Sequence, residues 1–110
     1  MKARNPGASS MQSIIKQANQ MQMKMKKLQE ELATRNFDGT AGGGAIKVTV
    51  NGDNKVMSMQ IDPEVMKSGD VEMLQDLVIA ATNDALKVAK DTSSKEMEKI
   101  TGGMNIPGMF

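Results

Sequence analysis

A long amphipathic helix is predicted near the N-terminus from the spacing of its apolar residues. They recur with alternating gaps of three and four, at Met11, Ile14, Ala18, Met21, Met25, Leu28 and Leu32. This spacing assigns them to the a and d positions of three successive heptads, which form one continuous apolar seam. We expect the helix to run from about Ser10 to Thr34, with Ser9 or Ser10 as its N-cap.

The middle of the chain predicts a small antiparallel sheet. Apolar and polar residues alternate over 46–50 and again over 57–61, on either side of the turn sequence NGDN. Pairing across this turn gives one shared apolar face, whatever the loop length, formed by Ile46, Val48, Val50, Met57, Met59 and Ile61. A third strand, at the edge of the sheet, is predicted from Phe37 to Ala41 and turns through three glycines. Asp62-Pro63 ends the last strand.

A second long helix follows the sheet. Asp70 is placed as its N-cap, residues Val71 to about Ile100 as its body, and Gly102-Gly103 as its stop. Its apolar spacing weakens beyond Lys90, so this end is expected to project or fray. The predicted fold class is therefore α+β, with one domain of α-β-β-β-α order over residues 11–101. Residues 1–10 are predicted to be a flexible extension and residues 102–110 a Gly-rich tail.

Composition excludes most catalytic chemistry. The chain has no cysteine and no histidine, so thiolate nucleophiles, Ser-His pairs and the usual zinc sites are absent. The glycines of GTAGGG lack the Lys and Ser/Thr of a phosphate-binding loop, and the methionine repeats are interpreted as packing residues rather than copper ligands. Carboxylates such as Asp62 and Asp84 have no base or nucleophile beside them. We expect no enzyme activity, no metal and no cofactor, in an intracellular protein without a signal peptide or membrane span.

Charge is distributed unevenly along the chain. Residues 1–27 carry six basic residues and no acid, a charge of +6, whereas the remainder holds eight basic and thirteen acidic residues, a charge of −5. In the heptad register, four lysines of the first helix fall at f, g, b and c, away from the seam: Lys16, Lys24, Lys26 and Lys27. An ordinary solvated helix would place glutamates among them. The pattern favours a face that binds a polyanion, with Lys95 and Lys99 on the second helix as weaker candidates.

Several segments together resemble the bacterial YbaB/EbfC family of nucleoid-associated proteins. They are the basic heptad helix, FDGTAGGGAIKVTVNG, the strand ending IDP, the helix MLQDLVIAATNDA and the closing TGGMNIPGMF. The resemblance covers roughly residues 11–110. It implies a tweezer-like homodimer located in the cytoplasm, at the nucleoid, that binds double-stranded DNA with little or modest sequence preference. The family has no catalytic motif, so the candidate DNA-binding residues rest on the lysine pattern alone.

The lysine pattern also indicates how DNA would be held. Only two arginines and two aromatic residues occur, so guanine readout and base stacking have few candidate side chains. We therefore expect a dimer to contact mainly the phosphates of the duplex. The role of the protein would be architectural or regulatory. Two other interpretations stay open. In one, the seam binds a partner protein and the lysines only solubilise; in the other, the basic helix binds an anionic membrane surface, although Trp and Phe are lacking there.

Overall fold

The computed structural model describes the backbone of residues 6–102 and the side chains from residue 10 to residue 102. Its elements are helix α1 (Pro6–Thr34), strands β1 (Asn36–Ala41), β2 (Ile46–Asn51) and β3 (Val56–Ile61), short helix α2 (Pro63–Lys67) and long helix α3 (Val71–Thr101). This order confirms the α+β class, with two long helices around a three-stranded antiparallel sheet. Residues 1–5 of the predicted extension and residues 103–110 of the predicted tail lie outside the described residues.

One helix begins earlier than predicted, and one short helix was not predicted. Helix α1 begins at Pro6, so Ser9 and Ser10 lie within it and the predicted cap is wrong. Proline is well tolerated in the first turn, where its missing N–H has no intrahelical partner. Helix α2 was not predicted, although its signal is present. The Asp62 side chain accepts a hydrogen bond from the Glu64 N–H at 3.0 Å, and Pro63 occupies the first helical position.

The sheet has the order β1-β2-β3, with both pairs antiparallel. Ile46 pairs with Ile61 and Val48 with Met59, as the alternation predicts. The pairing then shifts between Thr49 and Val50, so Val50 is opposite Val56 rather than Met57. This shift contradicts the uniform register that was predicted. A bulge of this kind adds one residue to a strand and increases its local twist.

The core forms where α3 crosses one face of β1 and β2. Ile46, Val48 and Val50 are fully buried, as are Ala81 and Ala85 of α3. Helix α3 lies close to the sheet because small residues meet there, Gly39 on β1 and Ala81 and Ala85 on α3. A Cβ on Gly39 of β1 would overlap backbone atoms of residues 81 and 85, including the Ala85 Cα at 2.7 Å. Glycine in β1 therefore sets the distance between the sheet and α3.

Strand β3 lies at the free edge of the sheet, beyond the strands that α3 covers. Val56, Met57 and Met59 are exposed, the last at 40%. The predicted apolar face therefore exists, but only its β2 half is buried within the single chain. An exposed apolar edge strand of this kind is a template for association with another chain.

Helix α1 joins the sheet at one end only. The Leu32 carbonyl lies directly against Gly52, at the turn between β2 and β3, and Leu32 is buried. Helix α3 passes the same turn, where Leu86 and Ala89 line a groove with Gly52. Both helices are continuous, and the chain extends 86 Å along its longest axis. Helix α3 remains helical as far as Thr101, so the prediction that its end frays, rather than projects, is wrong.

Candidate nucleic-acid interface

The lysines of α1 occupy the side of the helix opposite its seam. At about 100° per residue, Lys16, Lys24 and Lys27 fall within an arc of about 80°, and Lys26 lies on the other flank of the same outer surface. The seam residues are centred on the far side. All four lysines are exposed. The structure therefore brings together the four lysines predicted from the heptad register, over about 16 Å of helix length.

These four lysines have no carboxylate partner among the residues that the structure describes. The ion pairs found there involve other lysines: Lys47 with Asp38 at 3.4 Å, and Lys67, Lys87 and Lys99 with acids three or four residues away on their own helices. Four lysines of the sheet, α2 and α3 thus have a nearby acidic partner, whereas the four candidate lysines of α1 have none within the described part of the chain. From Lys16 to Lys27 the outer side of α1 carries lysines and no acid, and the first acids, Glu30 and Glu31, follow one turn later; positive charge of this kind attracts polyanions.

The two candidate lysines on α3 differ from each other. The Lys99 ammonium donates to the Glu96 carboxylate at 3.2 Å, so its charge is partly offset. Lys95 is exposed and forms no ion pair within residues 10–102. Both lie on a separate helix from the four lysines of α1. The structure consequently supports Lys95 better than Lys99 as a contact with an anion.

The base of α1 is fixed while most of its length is accessible. Residues 10–20 are exposed, Met21, Met25 and Leu28 are partly covered, and Leu32 is buried. Burial thus increases toward the sheet. A Cβ at Gly52 would overlap the Leu32 carbonyl and approach the Ala33 nitrogen at 2.9 Å, so this glycine allows the close contact. The lysines are carried by an exposed arm whose root is packed on the sheet.

Acidic side chains serve the backbone rather than a catalytic site. Asp70 caps α3 by accepting from the Met73 N–H at 2.9 Å, and Asp84 accepts from the Thr40 N–H of β1 at 2.9 Å. On the open face of the sheet, Asp38 accepts from the Thr49 hydroxyl at 2.6 Å. That hydrogen bond, helped by the charge of Lys47, lowers the pKa of Asp38 from its ordinary value of 3.8. Each of these three carboxylates has a structural partner.

Other candidate sites receive no support from the fold. Gly42, Gly43 and Gly44 adopt positive φ in a tight turn between β1 and β2, and no helix begins there to hold a phosphate. Within residues 10–102, no cluster of three acidic side chains could hold a metal ion. None of the described helices is long and apolar enough to cross a bilayer. The uncompensated lysines of α1 remain the best-defined functional feature.

Sequence reasoning missed the exposed apolar edge. Val56, Met57, Met59 and, on α3, Ile79 are exposed. An alternating strand signals one apolar face but does not show whether α3 is wide enough to cover it. A single helix packs on about two strands, because helices are about 10 Å across and strands are about 4.8 Å apart. That comparison of widths would have predicted that one outer strand of the sheet is left uncovered.

Comparison with known proteins places the chain among DNA-associated proteins. Residues 7–104 match the YbaB/EbfC DNA-binding family. A nucleoid-associated protein of Caldanaerobacter subterraneus is 50% identical, covering 96% of this chain and 95% of the relative. One from Clostridium kluyveri is 51% identical over 94% of this chain and 91% of the relative.

A solved structure supports the fold independently. The crystal structure of an uncharacterized protein from Helicobacter pylori superposes with a TM-score of 0.59 over 72% of this chain and 92% of that one, at 24% identity. This likeness concerns the fold alone. Sequence matches of half identity over nearly the whole length carry the assignment, and they confirm the resemblance found in the sequence: the chain belongs to the YbaB/EbfC DNA-binding family.

Proposed function

We propose that this chain is a nucleoid-associated protein that binds double-stranded DNA as a homodimer, mainly through phosphates and with low sequence specificity. The observation that carries this proposal is the exposed, uncompensated lysine surface of α1. Family membership and the names of the half-identical relatives support DNA as the polyanion. They also agree with the prediction that the chain is not an enzyme. Its location would be the nucleoid, in the cytoplasm.

Phosphate contact follows from the type of basic residue. Lysine is a point charge on a flexible stem, whereas arginine supplies the planar fork that reads guanine. The four candidate residues on α1 are all lysines, and they lie along one exposed helix. Contacts of this kind fix position on the duplex without reading its sequence. The role supported best is architectural or broadly regulatory.

The homodimer rests on the apolar edge of the sheet. Val56, Met57 and Met59 remain exposed on β3, beside α3, which covers only β1 and β2. Burying this edge against a second copy would remove both the apolar surface and the unpaired strand edge. A stable interface of this kind buries more than about 1,200 Å² in total. The two α1 arms would then extend from a common centre, a tweezer-like arrangement that presents lysines from both subunits.

Mass measurement tests the dimer by itself. Light scattering at micromolar concentration is expected to give twice the 11.9 kDa of the chain. Met59→Glu, which places a charge on the exposed edge, should return the mass to that of one chain. Thr40→Glu, an exposed position on the far strand β1, serves as the control and should leave the dimer intact. A wild-type protein that stays monomeric would contradict this part of the proposal.

Two alternatives make different predictions for binding. A protein-interaction module would ignore duplex DNA even at low salt, and a membrane-surface protein would sediment with anionic vesicles. A gel-shift assay with duplexes of unrelated sequence, at two salt concentrations and beside vesicle co-sedimentation, separates the three. We expect retarded duplex of every sequence at low salt, weaker binding at high salt and no sedimentation with vesicles. Failure to bind any duplex at low salt would refute the proposed function.

A further inference from the structure

The outer half of the α1 seam is apolar and uncovered. Met11 and Ile14 are each 62% exposed, and Ala18 and Ile15 are exposed beside them. The same seam becomes covered from Met21 toward the sheet. Apolar residues that repeat at a and d positions are the pattern by which helices pack against each other, and a fully solvated helix does not require them. The outer seam, defined as Met11, Ile14, Ile15 and Ala18, therefore lacks its packing partner.

The flanks of the outer seam suit a second copy of itself. In a coiled coil the e and g positions face each other across the seam, where like charges repel. Along the outer seam these positions hold Ser10, Ile15, Gln17 and Gln22, none of which is charged. The first lysine at such a position is Lys24, closer to the sheet. Lys16, the one charged residue within 10–22, is at f and points away from the seam.

The dimer edge proposed above is too far away to cover this surface. Leu32 contacts the turn at Gly52, and Met11 lies twenty-one residues further along α1, or about 31 Å. A standard interface occupies about 800 Å² per partner, a patch about 30 Å across. An interface centred on β3 therefore ends before the outer seam. Each dimer would leave two outer seams exposed, one on each arm.

We infer that the outer seam is a second self-association surface, through which α1 arms of neighbouring dimers pair on DNA. This inference rests on the proposed DNA-binding dimer and adds contacts between dimers. Pairing the seams turns the lysine surfaces outward, so both arms keep their phosphate contacts. The surface is small, about one heptad on each arm, so pairing is weak in free solution. Neighbouring dimers on one duplex have a high effective concentration, and there the contact forms.

Cooperativity on DNA is the first test. Binding of wild-type protein to a duplex long enough for several dimers should be cooperative, with each neighbour favoured about 10-fold. Ile14→Gln in the outer seam should abolish this preference while leaving binding of one dimer to a short duplex unchanged. Met23→Gln is the matched control, because Met23 is 71% exposed on the opposite side of the same helix. Equal cooperativity for wild type and Ile14→Gln would overturn the inference.

Crosslinking identifies the occupant of the seam. The chain has no cysteine, so Ala18→Cys introduces a single thiol at the outer seam. On long duplex, a thiol-specific crosslinker should join pairs of chains from different dimers, so that the native mass after removal of DNA is that of four chains or more. Complexes of two chains would instead show pairing within one dimer and overturn the inference. Absence of crosslinking in the full-length Ala18→Cys chain, together with crosslinking in an Ala18→Cys chain that ends at Gly102, would show that residues 103–110 occupy the seam and would also overturn the inference.

The two proposals fail in different ways. If short duplex is not bound by wild type or by Ile14→Gln, the proposed DNA-binding function fails. If short duplex is bound equally by both and long duplex shows no neighbour preference, only the second surface fails. Circular dichroism of Ile14→Gln should match that of the wild type, since the residue is exposed and glutamine is a good helix former.

Discussion

Replacing Gly39 by alanine is expected to be one of the most destabilising single-methyl changes in this chain. Gly39 lies in β1, on the face that packs against α3. An added Cβ would overlap the Ala85 nitrogen and the Ala81 carbonyl oxygen, and it would lie 2.7 Å from the Ala85 Cα. These are backbone atoms, so no side-chain rotation relieves the overlap. The whole of α3 has to move away from the sheet.

The magnitude follows from the required movement. Carbon atoms in contact lie about 3.5–4.0 Å apart, so the helix must retreat by about 1 Å and loosen its packing on β1 and β2. Overpacking of this kind costs about 1–3 kcal/mol or more, and alanine regains about 0.5–1 kcal/mol because glycine is unfavourable in a strand. Because the overlap is with backbone atoms, the cost lies near about 3 kcal/mol, and a net loss of about 2–2.5 kcal/mol of unfolding free energy remains. It corresponds to a fall in melting temperature of about 8–20 °C at equal protein concentration.

Two controls separate packing from backbone effects. Gly43→Ala, at φ +69° with open space around its Cβ, incurs only the left-handed penalty of about 1–2 kcal/mol. Adding Ala85→Gly to Gly39→Ala should not restore stability, because the overlapping atoms belong to the backbone. Thermal unfolding followed by circular dichroism measures all three variants. If Gly39→Ala melts within about 3 °C of the wild type, β1 and α3 do not pack as closely as the structure shows.

Three further experiments test the seam, the response to acid and the root of the arm. Leu32→Ala, at the buried root of the seam, should lower the free energy of unfolding by about 2–4 kcal/mol. Leu28→Ala should lower it less, because Leu28 is partly exposed, and Met23→Ala should lower it by under about 0.5 kcal/mol. Equal urea midpoints for the three variants would refute the heptad register. Because the pKa of Asp38 is lowered in the folded state, its carboxylate stabilises the fold above the ordinary value of 3.8, and this stability is lost as pH falls through the folded pKa. Asp38→Asn should therefore reduce the fall in melting temperature on acidification. An unchanged dependence of melting temperature on pH would contradict this. Gly52→Ala should weaken the root of α1 and increase hydrogen exchange at its C-terminal turns, whereas unchanged exchange would show that the contact is dispensable.

Periodicity predicted the elements that have strong local signals. The a and d spacing of α1 and the alternation of β2 depend on residues close together in the chain, so these elements agree with the structure within a few residues. Asp70 likewise caps α3 as predicted, because the cap and the N–H it binds are three residues apart. The lysine surface of α1 follows directly from the helical register.

The features that were missed depend on contacts between distant segments. The role of Gly39 is fixed by residues 81 and 85, which the strand pattern does not reveal. The register shift between Thr49 and Val50 lies next to a turn in which Asn54 adopts a positive φ and the Asn51 side chain accepts hydrogen bonds from the loop. Alternation alone predicts one register and cannot locate an extra residue. The exposure of β3 likewise depends on where α3 crosses the sheet.

The salt dependence of duplex binding tests the central claim most directly. If Lys16, Lys24, Lys26 and Lys27 of two subunits contact phosphates, log K should fall with log salt at about −0.9 per neutralised phosphate, a total slope of about −4 to −7 with incomplete contact. Replacing Lys24, Lys26 and Lys27 by glutamine should flatten this slope and weaken binding to all duplexes alike, with the dimer and its melting temperature almost unchanged. A slope and affinity that survive the triple change would contradict the account and move the interface away from α1.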